Sequence, residues 1–235
     1  MIINFLRKLA HRSPAIPRSA GEIGDYRRNF DQAAAFTKSC GFAVAKPAWA
    51  FEDALDSEGS FLEPPMRRAG VIDPAMSAGQ CLKWCHYLAP EYERQLGRAV
   101  WLTIGQLWKG DSVIFSPTWG ELKRWSNRGI SIAEIQQQGR VGVNLHAWLT
   151  IDTGEIIDLT LLSSMAKFVG GGYAKLAGAA VWGRDPGVLN NHRYFPMAIG
   201  QAFGESIGMK SELPLLANCA ADLNRVPMVL ASVEN

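Results

Sequence analysis

A chain of 235 residues, 48% hydrophobic and 20% charged, has an ordinary globular composition with enough apolar mass for a sizeable core. A net charge of +2 and scattered arginines, with no basic stripe or interleaved aromatics, argue against a nucleic-acid partner. No apolar run approaches the ~18 residues of a membrane span, so no integral membrane segment is expected, and four cysteines do not suggest a disulfide scaffold.

The start, "MIINFLRKLAHR", loses its apolar character at Arg7 and Lys8, too early for a secretory h-region. A short amphipathic helix or frayed arm is expected, with a cytoplasmic location; export by a signal-free route would leave no trace here. Residues 1–28 form a basic arm that ends in a Pro/Gly linker over 13–24. "YRRNFDQAAAFTKSCG" reads as a helix with Phe30, Ala33, Ala34 and Thr37 on one face and Gly41 as its stop. The five carboxylates of "FEDALDSEGSFLEPP" read as solvated surface, or alternatively as an acidic substrate-reading loop.

"SAGQCLKWCHYLAPEYERQLG" reads as a helix that Pro90 ends or restarts and Gly97 closes. "AVWLTIGQLW" alternates as a strand does. In "SPTWGELKRWSNRG", Ser116 can cap, Pro117 suits the first helical position and Gly129 ends the helix; "SIAEIQQQG" carries a capping box, Ser131 with Glu134. Two strands follow in "NLHAWLTIDTGEIIDLTL". "FVGGGYAKLAGAAVWG" reads as a small-residue loop or packed helix. "RYFPMAIG" and "VPMVLASV" are strand candidates whose Pro196 and Pro227 point to sheet edges. Helices mostly precede strands, so the fold class is α+β rather than alternating α/β.

The hairpin raises a chemical question, because its apolar strands carry a histidine at the entrance and an aspartate on the return. Asp152-Thr153-Gly154 fits a three-residue loop with glycine in the left-handed position. That register sets Ile151 opposite Glu155, His146 opposite Thr160 and Trp148 opposite Asp158. His146 and Asp158 then share one face as diagonal neighbours, ~7–8 Å apart at the backbone and within side-chain reach. Asp158 can hold one ring nitrogen and leave the other to act as base. The plainer alternative is a hydrogen-bonded core histidine and an aspartate that caps the turn before "SSMAKF". A two-residue turn would put the pair on opposite faces.

A nucleophile is available in "AGQCLKWCHYL". Cys81 falls in the first helical turn after Gly79, where unpaired N–H groups and the positive end of the helix dipole stabilise a thiolate. Its own N–H is placed to bind an oxyanion. Cys85, one turn further on, reads as a small buried apolar group.

Gly-Gln-Cys at a helix start, His-Ala-Trp on a strand and Ile-Ile-Asp-Leu-Thr on the next, in that order, resemble the transglutaminase-like branch of the papain-like cysteine enzymes over residues 77–162. The resemblance implies a papain-like (transglutaminase-like) core, with the catalytic helix packed on an antiparallel sheet, in a single catalytic domain over 29–235. It implies Cys81 as nucleophile, His146 as base and Asp158 as orienting group, with no cofactor. The implied activity is cysteine-dependent amide acyl transfer through a thioester, as in a protease, amidase, deamidase or transglutaminase. The partner would be a protein, peptide or small amide substrate. The long Cys-to-His separation, from 81 to 146, implies an insertion, for which the helices at 116–139 are candidates. Gln80 is too close to Cys81 to serve as the oxyanion glutamine of papain-like enzymes.

The rival readings are a zinc set of Cys81, Cys85, His86 and His146, and a catalytically inactive binding or structural protein on the same fold. His192, after "DPGVLNN", reads as a solvated loop histidine rather than a second base, and Trp148 as core or as a wall of the cleft.

Overall fold

The computed structural model describes residues 14–45, 47–139 and 142–225. The expected N-terminal helix or arm and the "VPMVLASV" strand lie outside the described residues. In chain order the elements are α1 (Tyr26–Ser39), α2 (Glu63–Arg68), α3 (Cys81–Leu96), β1 (Val100–Lys109), β2 (Ser112–Phe115), α4 (Trp119–Arg128) and α5 (Ile132–Gln137). There follow β3 (His146–Ile151), β4 (Glu155–Asp158), α6 (Leu161–Phe168), β5 (Val181–Arg184), β6 (His192–Ile199), α7 (Gln201–Gly208) and α8 (Ala220–Leu223). This is an α+β fold on one antiparallel sheet.

β1 is the axis of that sheet. Its residues 103–105 pair with β3 and β6 at once, and 107–109 with β2 and β6 at once. β6 therefore lies along one side of β1, while β2 and β3 divide the other; β4 and β5 continue outward from β3. β6 pairs only with β1 among the described strands, which agrees with the edge expected from Pro196, and the register shifts between Ile104 and Gly105, beside that proline.

The two faces of the sheet bury different helices. Leu102, Ile104, Ala147, Leu149 and Ile157 pack with Leu82, Cys85, Leu88, Ala89 and Tyr92, the apolar stripe of α3. Leu107, Trp148, Ile156 and Tyr194 pack with Tyr26, Phe30, Ala33 and Ala34 of α1 and with Leu161, Leu162 and Met165 of α6. The sheet is thus enclosed by α3 on one side and by α1 with α6 on the other.

Pro90 neither ends nor restarts α3, which runs through it without a break. A proline there deprives the His86 carbonyl of its helical donor. The Gln201 side chain supplies the missing donor, Nε2 to His86 O at 3.1 Å, so the helix continues to Gly97, in the left-handed conformation. The cap of α4 is Thr118 rather than Ser116, because only Thr118 has a glutamate three residues on to complete a reciprocal capping box. Ser131 caps α5 as expected, but Glu134 turns to the Trp125 indole and Arg124 rather than closing a box. The small-residue run after α6 ends in a strand, β5, that the sequence had not suggested.

Part of the stretch read as linker is fastened to the body. Ile23 is buried, and Arg193 donates to the carbonyls of Ala20 and Gly24. The acidic loop is also partly pinned, since Arg98 binds both Asp53 in that loop and Asp152 in the hairpin turn.

Candidate active site

The β3–β4 hairpin has the register expected from its loop, with Leu149 opposite Ile157 and Thr150 opposite Ile156. Gly154 adopts φ +79°, and its N–H bonds to Ile151 O at 2.9 Å. A side chain there would be strained, and it would also strike the Phe51 ring. The turn therefore admits one register, and that register brings His146 and Asp158 together: Nε2 of His146 lies 2.6 Å from Oδ2 of Asp158.

Both residues are sealed from water, His146 at 2% exposure and Asp158 at 0%. Phe115 stacks flat on the imidazole at 5.2 Å, with Trp148 and Tyr194 closing two further sides. Burial by itself would discharge both groups. It is overcome at His146, where the Asp158 carboxylate and the neighbouring Cys81 sulfur, as an acceptor, favour the protonated ring and push its pKa up to about 10. Burial is overcome at Asp158 too, where His146, the Thr160 amide and the Tyr194 hydroxyl hold the carboxyl below its ordinary value. Both shifts run toward the charged forms, an imidazolium beside a carboxylate.

Asp158 combines the two roles that the sequence left as alternatives. Oδ2 takes His146 and, at 2.9 Å, the hydroxyl of Tyr194. Oδ1 takes the backbone N–H groups of Thr160 and Leu161, each at 3.0 Å, and so caps α6. Orienting the imidazole and capping the helix use different oxygens of one carboxylate.

Cys81 is the first residue of α3, and its thiol is half-buried. Its N–H belongs to the first turn, whose donors have no acceptor within the helix. Cys81 Sγ lies 3.7 Å from Leu145 O, the carbonyl just before His146, and Cys85 Sγ lies 3.4 Å from Ala147 O. The two contacts share one cause. Four helical residues rise ~6 Å and two strand residues ~6.6 Å, so α3 and β3 run side by side nearly in step. That match brings the helix terminus to the entrance of the strand. Nε2 of His146 is engaged by Asp158, so Nδ1 is the ring nitrogen left for the thiol. Cys85, fully buried, has its thiol pushed well up by desolvation and remains an apolar filler.

Other residues fall elsewhere. His86 pairs with Glu205 of α7 at 3.3 Å, away from Cys81. Among the described residues no three His, Cys, Asp or Glu side chains are grouped to hold a metal ion. Gln80 spends both amide donors on carbonyls, Met76 O and Leu223 O. His192 is not a solvated loop residue: it opens β6 at 4% exposure, with Nδ1 donating to Asn190 O. Trp148 is fully buried core rather than a cleft wall. Its indole starts a chain of hydrogen bonds through Tyr26, Thr150 and Thr103 to Trp101 O.

Sequence reasoning missed Tyr194 and Phe115. The alternation in "RYFPMAIG" selects Tyr194 for a buried face, but nothing local reveals that β6 packs beside β1. No family model, curated protein or solved structure matches this chain.

Proposed function

We propose that the protein is a cysteine-dependent amide acyltransferase or hydrolase (protease, amidase, deamidase or transglutaminase) with a papain-like, transglutaminase-like core. The observation that carries this reading is the sealed 2.6 Å contact of His146 with Asp158 beside a cysteine at a helix N-terminus. In the proposed reaction the thiol proton already rests on Nδ1 of the His146 imidazolium, and Cys81 Sγ bonds as a thiolate to the carbonyl carbon of an amide. The Cys81 N–H faces the developing oxyanion. The imidazolium returns the proton to the leaving nitrogen as the C–N bond breaks, which leaves a thioester. Water or an amine then attacks the thioester, gives its proton to His146 and releases the acyl group as the C–S bond breaks, restoring the thiolate and the imidazolium. Asp158 keeps the ring in the tautomer and orientation both steps need.

The test is the rate of iodoacetamide alkylation of each cysteine against pH, read by mass spectrometry in the wild type and His146→Ala. Cys81 is expected to outpace the exposed Cys219 well below pH ~8 and to lose that advantage without His146. A Cys81 that reacts no faster than Cys219 leaves the inactive binding protein as the better account.

A further inference from the structure

The nucleophile and the orienting carboxylate sit on separate elements, and α6 joins them. Its first turn is capped by Asp158 Oδ1. One turn further along, the Ser164 hydroxyl accepts the Gly79 N–H at 3.0 Å and donates to Thr160 O at 2.8 Å. Gly79 stands two residues before Cys81, at φ +74°, with the Phe168 ring 3.3 Å from where a Cβ would lie. The turn that delivers Cys81 is thus fastened to the same helix that Asp158 caps. We propose that Ser164 is a positioning residue: its hydroxyl sets the approach turn of Cys81 against α6, so that thiol, imidazole and carboxylate are held as one unit.

This inference rests on the acyl-transfer reading, and it adds to that reading a residue that touches neither the substrate nor the imidazole. A bridge of this kind governs the thiol–imidazole distance, on which proton transfer depends steeply. Removal of the hydroxyl leaves the His146–Asp158 contact in place, because Asp158 keeps all its donors. It frees the Gly79 amide and lets the Cys81 turn relax.

The experiment is the pH profile of Cys81 alkylation in wild type, Ser164→Ala and Ser164→Thr, with Cys219 in the same molecules as reference and the melting temperature recorded. The expected result is a fall of about tenfold in the Cys81 rate near neutral pH for Ser164→Ala. Its profile should move toward that of Cys219 while the Cys219 rate is unchanged. Ser164→Thr, which keeps the hydroxyl, should restore most of the wild-type profile. A wild-type profile in Ser164→Ala overturns the proposal. So do equal losses in the Ala and Thr variants that follow their melting temperatures, since these mark a packing role only. A wild-type Cys81 as slow as Cys219 is a separate result that removes the acyl-transfer reading and Ser164's role with it.

Discussion

Asp158→Asn tests the charge at the centre of the site with almost no change of volume. Oδ1 can still accept from Thr160 and Leu161, so the cap of α6 survives. On the other side an amide NH₂ would face two present donors, Nε2 of His146 and the hydroxyl of Tyr194. Relief requires the ring to become neutral with its remaining proton on Nδ1, the nitrogen that holds the thiol proton in the proposed reaction. Removing one partner of a buried pair costs about 3–5 kcal/mol, and the wrong tautomer costs about 10⁴-fold in turnover. The stability loss also has a pH signature. Asp158 is held below its ordinary 3.8, so its share is present above that value and lost as pH falls through the folded pKa. His146 is raised from 6.5 to about 10, so its share is complete below 6.5 and lost as pH climbs toward 10. The wild-type advantage in chemical-denaturation free energy should therefore be greatest between about pH 4 and 6.5 and shrink on either side. Equal stability of the two proteins at about pH 5.5 refutes the charged pair, as does a wild-type His146 imidazole that titrates near 6.5 by NMR.

Tyr194→Phe removes one donor from the Asp158 carboxylate, and since that hydroxyl lowers the carboxyl's pKa, acid unfolding should begin at higher pH. The accompanying loss at neutral pH should be about 1–3 kcal/mol by denaturant titration; an unshifted acid limb counts against the contact. Gln201→Ala should cost about 1–3 kcal/mol by orphaning the His86 carbonyl. Pro90→Ala in that background should recover most of the loss by restoring a helical donor, so additive effects in a double-mutant cycle disprove the substitution of one donor for the other. Gly154→Ala should cost more than ~1 kcal/mol, through the left-handed turn and the Phe51 ring. It should also broaden the His146 NMR signals as the hairpin register loosens, and a fully stable variant would show that the turn does not enforce the register.

The elements whose instructions are local could be read from the chain. Asp-Thr-Gly specifies a loop and hence a register, and Gly79 before Cys81 marks where a helix begins. What could not be read depends on partners distant in sequence. Pro90 looks like a helix end until Gln201, on another helix, takes over its hydrogen bond. Tyr194 joins the site only because β6 pairs with β1, and His192 is buried for the same reason. Ser131-x-x-Glu134 has the pattern of a capping box, yet the tertiary contact with Trp125 claims the carboxylate. The positions of His146 and Asp158 were accessible because period two and one turn suffice to align them; the residues that seal that pair, Phe115 and Tyr194, required the sheet order.

One direction satisfies every hydroxyl in the hydrogen-bonded run behind Trp148. Thr103 gives its only hydroxyl proton to Trp101 O, so Thr150 must donate to Thr103 and Tyr26 to Thr150. Its near end is an indole N–H, which can donate but has no lone pair to receive. A proton held on His146 therefore has no way into this run, although Trp148 borders the imidazole. The same sheet face carries two polar systems side by side, one that passes a proton in the proposed reaction and one closed to it. The closed one acts as insulation on that side of the ring, and in the proposed reaction it leaves the thiol as the exchange partner.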